Sequence, residues 1–510
     1  MRTASWILLV ALFGCGDSDS SGGSAAGGTG LPGDNGFTQP GAQDFGEFRK
    51  ILEDGKIPGP DTLDPLGFFA EHKLDYPAAD CGANVCAHTM MAVADNLLTG
   101  SAATVLQLGL NSPLTPDTLD RPPLNLVLSV DLSGSMEGEP IEALRSGLTR
   151  MLEYLEPEDR ISLVGWSDEA EVIFEWLGLE EKAAIQAAIL DLKPRAATNI
   201  YDGLFTAYQV ASAHMDPARQ NRVVLLSDGV ATSGIKSPVK IKSLAAGWAA
   251  EGIATTTIGV GTAFDATIMS GVAEVGAGAY YFLEDPLAVK EVFTEEVLTF
   301  LVPAALDVRI DVSMAEGYDI QEVYGTNGWV GAASGGTIEI PALFLAGRKT
   351  SVEPVEGGRR GGGGAILFKL APRKKAKKLD EPNQVASVAL QWVDPATGDP
   401  QQQLLAVDNP NEPGVVPSGG WFSTKTVEKA FVMLNIYAGL KLACTSAGAG
   451  SPEVARTVLT DLRARVTAWN ETWLDPDISA DVAVIDKFLA NLGAVTTDIK
   501  QPVPSNWLWY

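Results

Sequence analysis

The sequence predicts an α/β protein: a doubly wound, mostly parallel sheet with an adjoining β-sandwich and a C-terminal helical region. Three observations point there. Over residues 122–301, short apolar runs alternate with stretches of helical spacing. Over residues 302–423, strand-like runs follow one another without helices. Residues 424–494 then keep a helical pattern in three segments. At 510 residues the chain is also too long for one compact core.

At the N-terminus Arg2 precedes the apolar run 6–13, which is too short for a permanent membrane helix and reads as the core of a signal peptide. Leu12-Phe13-Gly14-Cys15 ends that run and resembles the bacterial lipobox. The resemblance implies cleavage that leaves Cys15 as a lipidated N-terminus, anchored by its acyl chains. Gly16 after the cysteine resembles outer-membrane sorting. The expectation is a cell-envelope protein, lipid-anchored in the outer membrane of a Gram-negative bacterium. Residues 1–15 are thus the leader and residues 16–44 a flexible Gly/Ser-rich tether. No other stretch reads as a membrane span.

Residues 45–121 form an N-terminal segment expected to contribute to the β-sandwich, with a helix over 45–52 and a strand over 104–110. Cys81 and Cys86 are expected to close a small disulfide loop, leaving Cys444 unpaired; pairing of one of them with Cys444 is the alternative. Residues 122–301 carry the alternating pattern. The run 124–130 is almost wholly apolar, as a strand buried on both faces must be. A helix over 140–155 follows, then strands over 161–166 and 171–176 and a helix over 201–215. After these come a buried strand over 222–227, a helix over 241–250, strands over 254–260 and 279–283, and a last helix over 286–298. Residues 302–423 form a β-rich domain and residues 424–510 the helical region.

The chemistry gathers where these strands end. Asp131-Leu132-Ser133-Gly134-Ser135 follows the first buried strand, Thr198 opens a helix, and Asp228 follows another buried strand. In a doubly wound sheet, ligands bind beyond the carboxyl ends of the strands, so the three segments reach one edge. Two carboxylates and three hydroxyls form an all-oxygen set suited to a hard cation such as Mg²⁺, with Mn²⁺ or Ca²⁺ as substitutes. Asp131 and Asp228 only balance a divalent charge, so the metal stays electrophilic toward one more anionic oxygen. Here the sequence resembles the von Willebrand factor A (VWA) family, with Asp131-Leu132-Ser133-Gly134-Ser135 matching its metal-ion-dependent adhesion site, Asp-x-Ser-x-Ser. The resemblance implies that Asp131, Ser133, Ser135, Thr198 and Asp228 hold the metal, and that a protein partner's Asp or Glu carboxylate completes its shell. Around this domain the order of segments is similar to bacterial VWA lipoproteins and, more loosely, to inter-alpha-trypsin-inhibitor heavy chains.

The net charge of -27 argues against a nucleic-acid partner and against docking on anionic lipid, leaving the N-terminal anchor as the only membrane contact expected. The three histidines, His72, His88 and His214, have no nucleophile beside them. No Gly-x-Ser-x-Gly elbow or phosphate-binding loop is present, so no enzymatic activity is expected. The basic run 373–378 reads as a solvated hairpin loop, and the Trp-rich end at 507–510 as a tail packed on a domain. The competing functional class is a structural scaffold of the envelope, with a structural metal or none.

Overall fold

The computed structural model describes residues 35–39, 45–114, 122–195, 197–228, 230–260, 265–283, 303–345, 364–373 and 384–493. The leader with Cys15, the helix expected over 286–298, the basic run beyond Arg373 and the aromatic end at 507–510 lie outside the described residues.

The chain opens with strand β1 (Asn35–Thr38), helices α1 (Gly46–Glu53) and α2 (Pro65–Glu71), and strands β2 (Cys86–Asp95) and β3 (Ala102–Ser112). β1 corrects the expectation of a tether through residue 44. Its composition reads as linker, yet it buries Phe37 and pairs on both edges, Gly36 with Asn111 and Phe37 with Leu345. Cys81 and Cys86 form a disulfide, and Cys444 is free and buried.

Next come β4 (Leu124–Asp131), α3 (Glu139–Met151), β5 (Arg160–Trp166), β6 (Ala170–Leu177), α4 (Lys182–Leu190) and α5 (Ile200–Ala213). β7 (Gln220–Ser227), α6 (Pro238–Ala250), β8 (Ile253–Val260), α7 (Ala266–Val275) and β9 (Tyr280–Leu283) complete this part. The six strands form one sheet in the order β6-β5-β4-β7-β8-β9, parallel throughout except for the antiparallel edge strand β6. Successive residues of β4 serve opposite faces, both buried, which is why its sequence is apolar apart from Asn125, Ser129 and the terminal Asp131. Leu126, Leu128 and Val130 join a core with Leu144, Leu148 and Ile189, while Val127 joins Leu204, Val223 and Ile241. Each such side chain contributes about 1.5–3 kcal/mol on burial.

The remaining strands are β10 (Ala305–Met314), β11 (Tyr318–Tyr324), β12 (Trp329–Ala332), β13 (Gly335–Leu345), β14 (Ala365–Pro372), β15 (Gln384–Val393), β16 (Pro400–Asp408) and β17 (Trp421–Phe422). One layer runs β17-β2-β3-β14-β11 and the other β12-β13-β10-β15-β16, with β1 joining β3 to β13. Between them lies a core that includes Leu106, Leu108, Ile310, Val312, Phe368 and Leu390, so the expected β-sandwich is present. Its far seam is closed by a side chain: the Gln403 amide accepts from Ala87 N–H at 2.9 Å and donates to Ala87 O at 3.3 Å.

Three helices end the described chain: α8 (Lys425–Gly448), α9 (Pro452–Trp473) and α10 (Pro476–Asn491). With α1 and α2 they cover the outer face of the first layer, where Met90, Ala92, Val105 and Leu367 meet Phe431, Leu434 and Phe488. By length and composition α8 could cross a membrane, which the sequence reading did not anticipate. It is apolar on nearly every side because it is buried on nearly every side. A buried ionic knot ties the layer together. Lys429 Nζ lies 2.8 Å from Asp477 and 2.7 Å from Asp475 and donates to Lys73 O, while His72 Nε2 lies 2.7 Å from Asp481.

The parallel sheet meets the sandwich through Arg222 at the start of β7. Its buried guanidinium lies 5.3 Å from the centre of the Phe344 ring on β13 and donates to Thr256 Oγ1. The sandwich therefore abuts the end where the parallel strands begin, and the opposite end carries the candidate site.

Candidate metal centre

The loops that follow β4, β5 and β7 and the loop that leads into α5 meet at the carboxyl edge of the parallel strands. Asp131 is the last residue of β4, opposite Trp166 of β5. The next amide still belongs to the ladder, since Leu132 N–H donates to Trp166 O at 2.7 Å. The chain then turns over Ser133, Gly134 and Ser135, pinned from below by fully buried Met136. Gly138 takes φ +91°, where a side chain would be strained, and turns the loop into α3.

This turn folds its oxygens together. Asp131 Oδ1 accepts from Ser133 N–H at 2.8 Å, Ser133 Oγ and Ser135 Oγ stand 3.0 Å apart, and Ser135 Oγ donates to Asp228 Oδ1 at 2.8 Å. Asp131, Ser133, Ser135 and Asp228 thus form one hydrogen-bonded chain across two loops. Ser133 and both aspartates are buried, whereas Ser135 is exposed. Burial pushes the Asp131 carboxyl up to about 6 despite donations from Ser227 and Ser133, and the nearby Asp228 carboxylate adds to the rise. Burial likewise raises Asp228 above the ordinary carboxylate range.

Thr198 sits on the neighbouring loop, directly before Asn199, which caps α5 by accepting from Asp202 N–H. Asn199 N–H donates to Ser167 O at 2.7 Å and ties this loop to the end of β5. Thr198 is buried, but among the described residues no hydrogen bond joins its hydroxyl to the other four. The structure therefore gathers four of the five sequence-derived residues directly and ties the fifth by its backbone to Thr232 and Ser233, a few residues beyond Asp228. Two residues escaped the sequence reading. Ser227 donates to Asp131 Oδ2 at 2.6 Å, and Thr232 pairs with the backbone of Thr198. For Ser227 the available signal was a hydroxyl directly after the apolar run Val223-Val224-Leu225-Leu226 of a buried strand.

The donor set fits a hard divalent cation, because every atom it offers is oxygen and its two carboxylates carry one charge each. Among the described residues no group of three or more His, Cys, Asp or Glu side chains could hold a metal, and the candidate set here pairs two carboxylates with three hydroxyls. His88 bonds Asn111, and His214 bonds Glu175 while stacking on Trp176. None of the three histidines bonds any of the five candidate residues.

Residues 125–295 match the sequence model of the von Willebrand factor type A domain. The uncharacterized protein YfbK of Escherichia coli is 27% identical over 289 residues, which cover 53% of this chain and 48% of that protein. Inter-alpha-trypsin inhibitor heavy chain H3 of Rattus norvegicus is 27% identical over 169 residues, 29% of this chain and 19% of its own length. The chain thus spans about half the length, or less, of these curated relatives. Among solved structures, a von Willebrand factor type A protein from Catenulispora acidiphila superposes with a TM-score of 0.51 at 14% identity, covering 83% of this chain and 92% of that one. That likeness is one of fold. The doubly wound sheet of this chain, with its aspartate- and serine-bearing loops at the carboxyl edge, is a von Willebrand factor type A domain.

Proposed function

We propose that this chain is a lipid-anchored cell-envelope protein whose VWA domain binds a divalent cation, Mg²⁺ first, and through it a carboxylate of a protein partner. The observation that carries this reading is the oxygen chain from Asp131 through Ser133 and Ser135 to Asp228. Buried carboxylates with raised proton affinity, brought toward one another beside neutral hydroxyls, are a costly arrangement that a cation would relieve. Asp131, Ser133, Ser135, Thr198 and Asp228 would hold the ion, whose charge the two aspartates only balance. An octahedral Mg²⁺ held in this way keeps a position for one further anionic oxygen. The site lies at the end of the sheet away from the Arg222–Phe344 contact, which favours an external partner over an internal one. Lipidation at Cys15 and an envelope location rest on the Leu12-Phe13-Gly14-Cys15 run. The role is binding rather than catalysis.

The test is calorimetric titration of Mg²⁺ and Mn²⁺ into the chelator-treated full chain, beside an Asp131→Ala, Ser133→Ala double variant. Saturable binding in the parent and none in the variant is the expected result. A parent that binds neither ion would sink the reading and favour the scaffold alternative, in which assembly with partners survives EDTA.

A further inference from the structure

Resting on that reading, we propose that Ser227 and Thr232 are positioning residues of the centre, holding Asp131 and Thr198 where a cation can meet them. The loop that carries Asp228 would then also set the other two ligand loops.

Ser227 ends β7 fully buried, and its hydroxyl is committed to Asp131 Oδ2 at 2.6 Å. Ser133 N–H holds the other oxygen at 2.8 Å. A carboxylate gripped at both oxygens cannot rotate about its Cβ–Cγ bond, so its remaining lone pairs keep one direction. Removing Ser227 Oγ frees that rotation while leaving the backbone of β7 in its ladder with β4 and β8.

Thr232 acts on the backbone. Thr198 N–H donates to Thr232 Oγ1 at 3.0 Å, while Thr232 N–H and Ser233 N–H donate to Thr198 O at 2.9 and 3.1 Å. Both polar groups of the Thr198 peptide are thereby fixed by one short stretch. Two residues on, Gly234 at φ +64° passes so close to Asn199 that a Cβ there would stand 2.1 Å from Asn199 Oδ1. With Asn199 N–H bonded to Ser167 O on the other side, the peptide carrying Thr198 is clamped between two loops. Partners of this outer kind commonly set metal affinity by about 10–100-fold without touching the ion.

The experiment is titration of Mn²⁺ into the chelator-treated full chain, followed by calorimetry and by the electron paramagnetic resonance of the bound ion. The variants are Ser227→Ala, Thr232→Ala and Thr232→Ser, with Ser129→Ala as control. Ser129 offers a comparable buried hydroxyl on β4, but it bonds Gly203 O and Trp166 Nε1 rather than any of the five residues. Ser227→Ala and Thr232→Ala are expected to weaken Mn²⁺ about tenfold or more and to alter the resonance of the bound ion. Thr232→Ser, which keeps the oxygen, and Ser129→Ala, which removes two buried hydrogen bonds that involve none of the five residues, should stay within about twofold of the parent on the same scale. Parental affinity in both alanine variants would overturn the inference, as would an equal loss in Ser129→Ala. A parent that fails to bind Mn²⁺ overturns the proposed function itself, a separate result.

Discussion

In the VWA domain every strand pairs with strands drawn from residues 124–283, whereas in the sandwich β1 pairs Phe37 with Leu345 and β17 pairs Trp421 with Val93. The first region is built from chain that is local in sequence, its helices packed on strands of the same sheet. The second closes only when both ends of the chain have arrived, and its helical layer mixes α1 and α2 with α8, α9 and α10. They also place charge differently. The helical layer sets Lys429 against its buried Asp477 and bonds His72 to Asp481, while the VWA site leaves Asp131 and Asp228 beside hydroxyls. Buried charge that is internally paired holds structure; buried charge left to an outside cation is available for binding.

The largest effect should come from breaking the paired side of this comparison. Lys429→Met leaves Asp477, fully buried, without its 2.8 Å ammonium partner. Removing one member of a buried ion pair typically costs about 3–5 kcal/mol. Urea denaturation should show the transition of the sandwich and helices moved down by that amount. Cation affinity measured without urea should hold, and a matching loss there would mean that the two regions are not energetically separable.

The unpaired side predicts the opposite sign. Asp131 carries a proton affinity raised to about 6 from an ordinary 3.8, so in the cation-free protein its ionisation opposes folding. That penalty is absent below the ordinary value and complete above about 6, so cation-free stability should fall as pH rises through this window. Asp131→Asn removes it and should stabilise the cation-free protein near neutral pH by up to about 3 kcal/mol, while abolishing Mg²⁺ binding. In the parent, proton competition at the same carboxyl should weaken Mg²⁺ about tenfold between pH 7 and pH 5. Thermal melts and calorimetry across pH check both. A cation-free Asp131→Asn protein that melts below the parent would show that the carboxylate stabilises the fold rather than waiting for a cation.

The same contrast explains what could be read from sequence. β4, β5, β7 and β8 announce themselves because burial on two faces favours apolar and β-branched residues along most of each strand, and the site's aspartates and serines stand where β4 and β7 stop. α4 was hidden by a sequence, Lys182–Leu190, whose alanines give little periodicity. β2 was hidden because its Met-Met-Ala-Val-Ala run lacks the β-branched signature of a strand; it gains its burial from the sandwich core on one face and α8 on the other. β1 could not be seen at all, since its partners Ser112 and Leu345 are fixed only by the finished fold. At the site, the residues that offer oxygens were legible by type and order. Ser227 and Thr232 act by holding those residues; for Ser227 the sequence offered only its place at the end of a buried strand, and for Thr232 nothing that sets it apart from any other hydroxyl.

The smallest effect tests the clamp between the loops, where geometry rather than charge decides. Gly234 occupies the left-handed region at φ +64°, and a methyl group there would meet the Asn199 side chain. Gly234→Ala must therefore either strain its own backbone or displace Asn199, whose carbonyl oxygen caps α5 through Asp202 N–H. Either route costs about 1–2 kcal/mol, by left-handed strain or by loss of a cap. The melting temperature should drop modestly, and Mg²⁺ affinity should fall several-fold because Thr198 is the next residue along. A drop in stability with unchanged affinity would place the cost in α5 alone and show that Thr198 keeps its position without the clamp. An affinity loss larger than that of Thr232→Ala would instead make the Gly234–Asn199 contact, rather than the Thr232 pairing, the principal constraint on that loop.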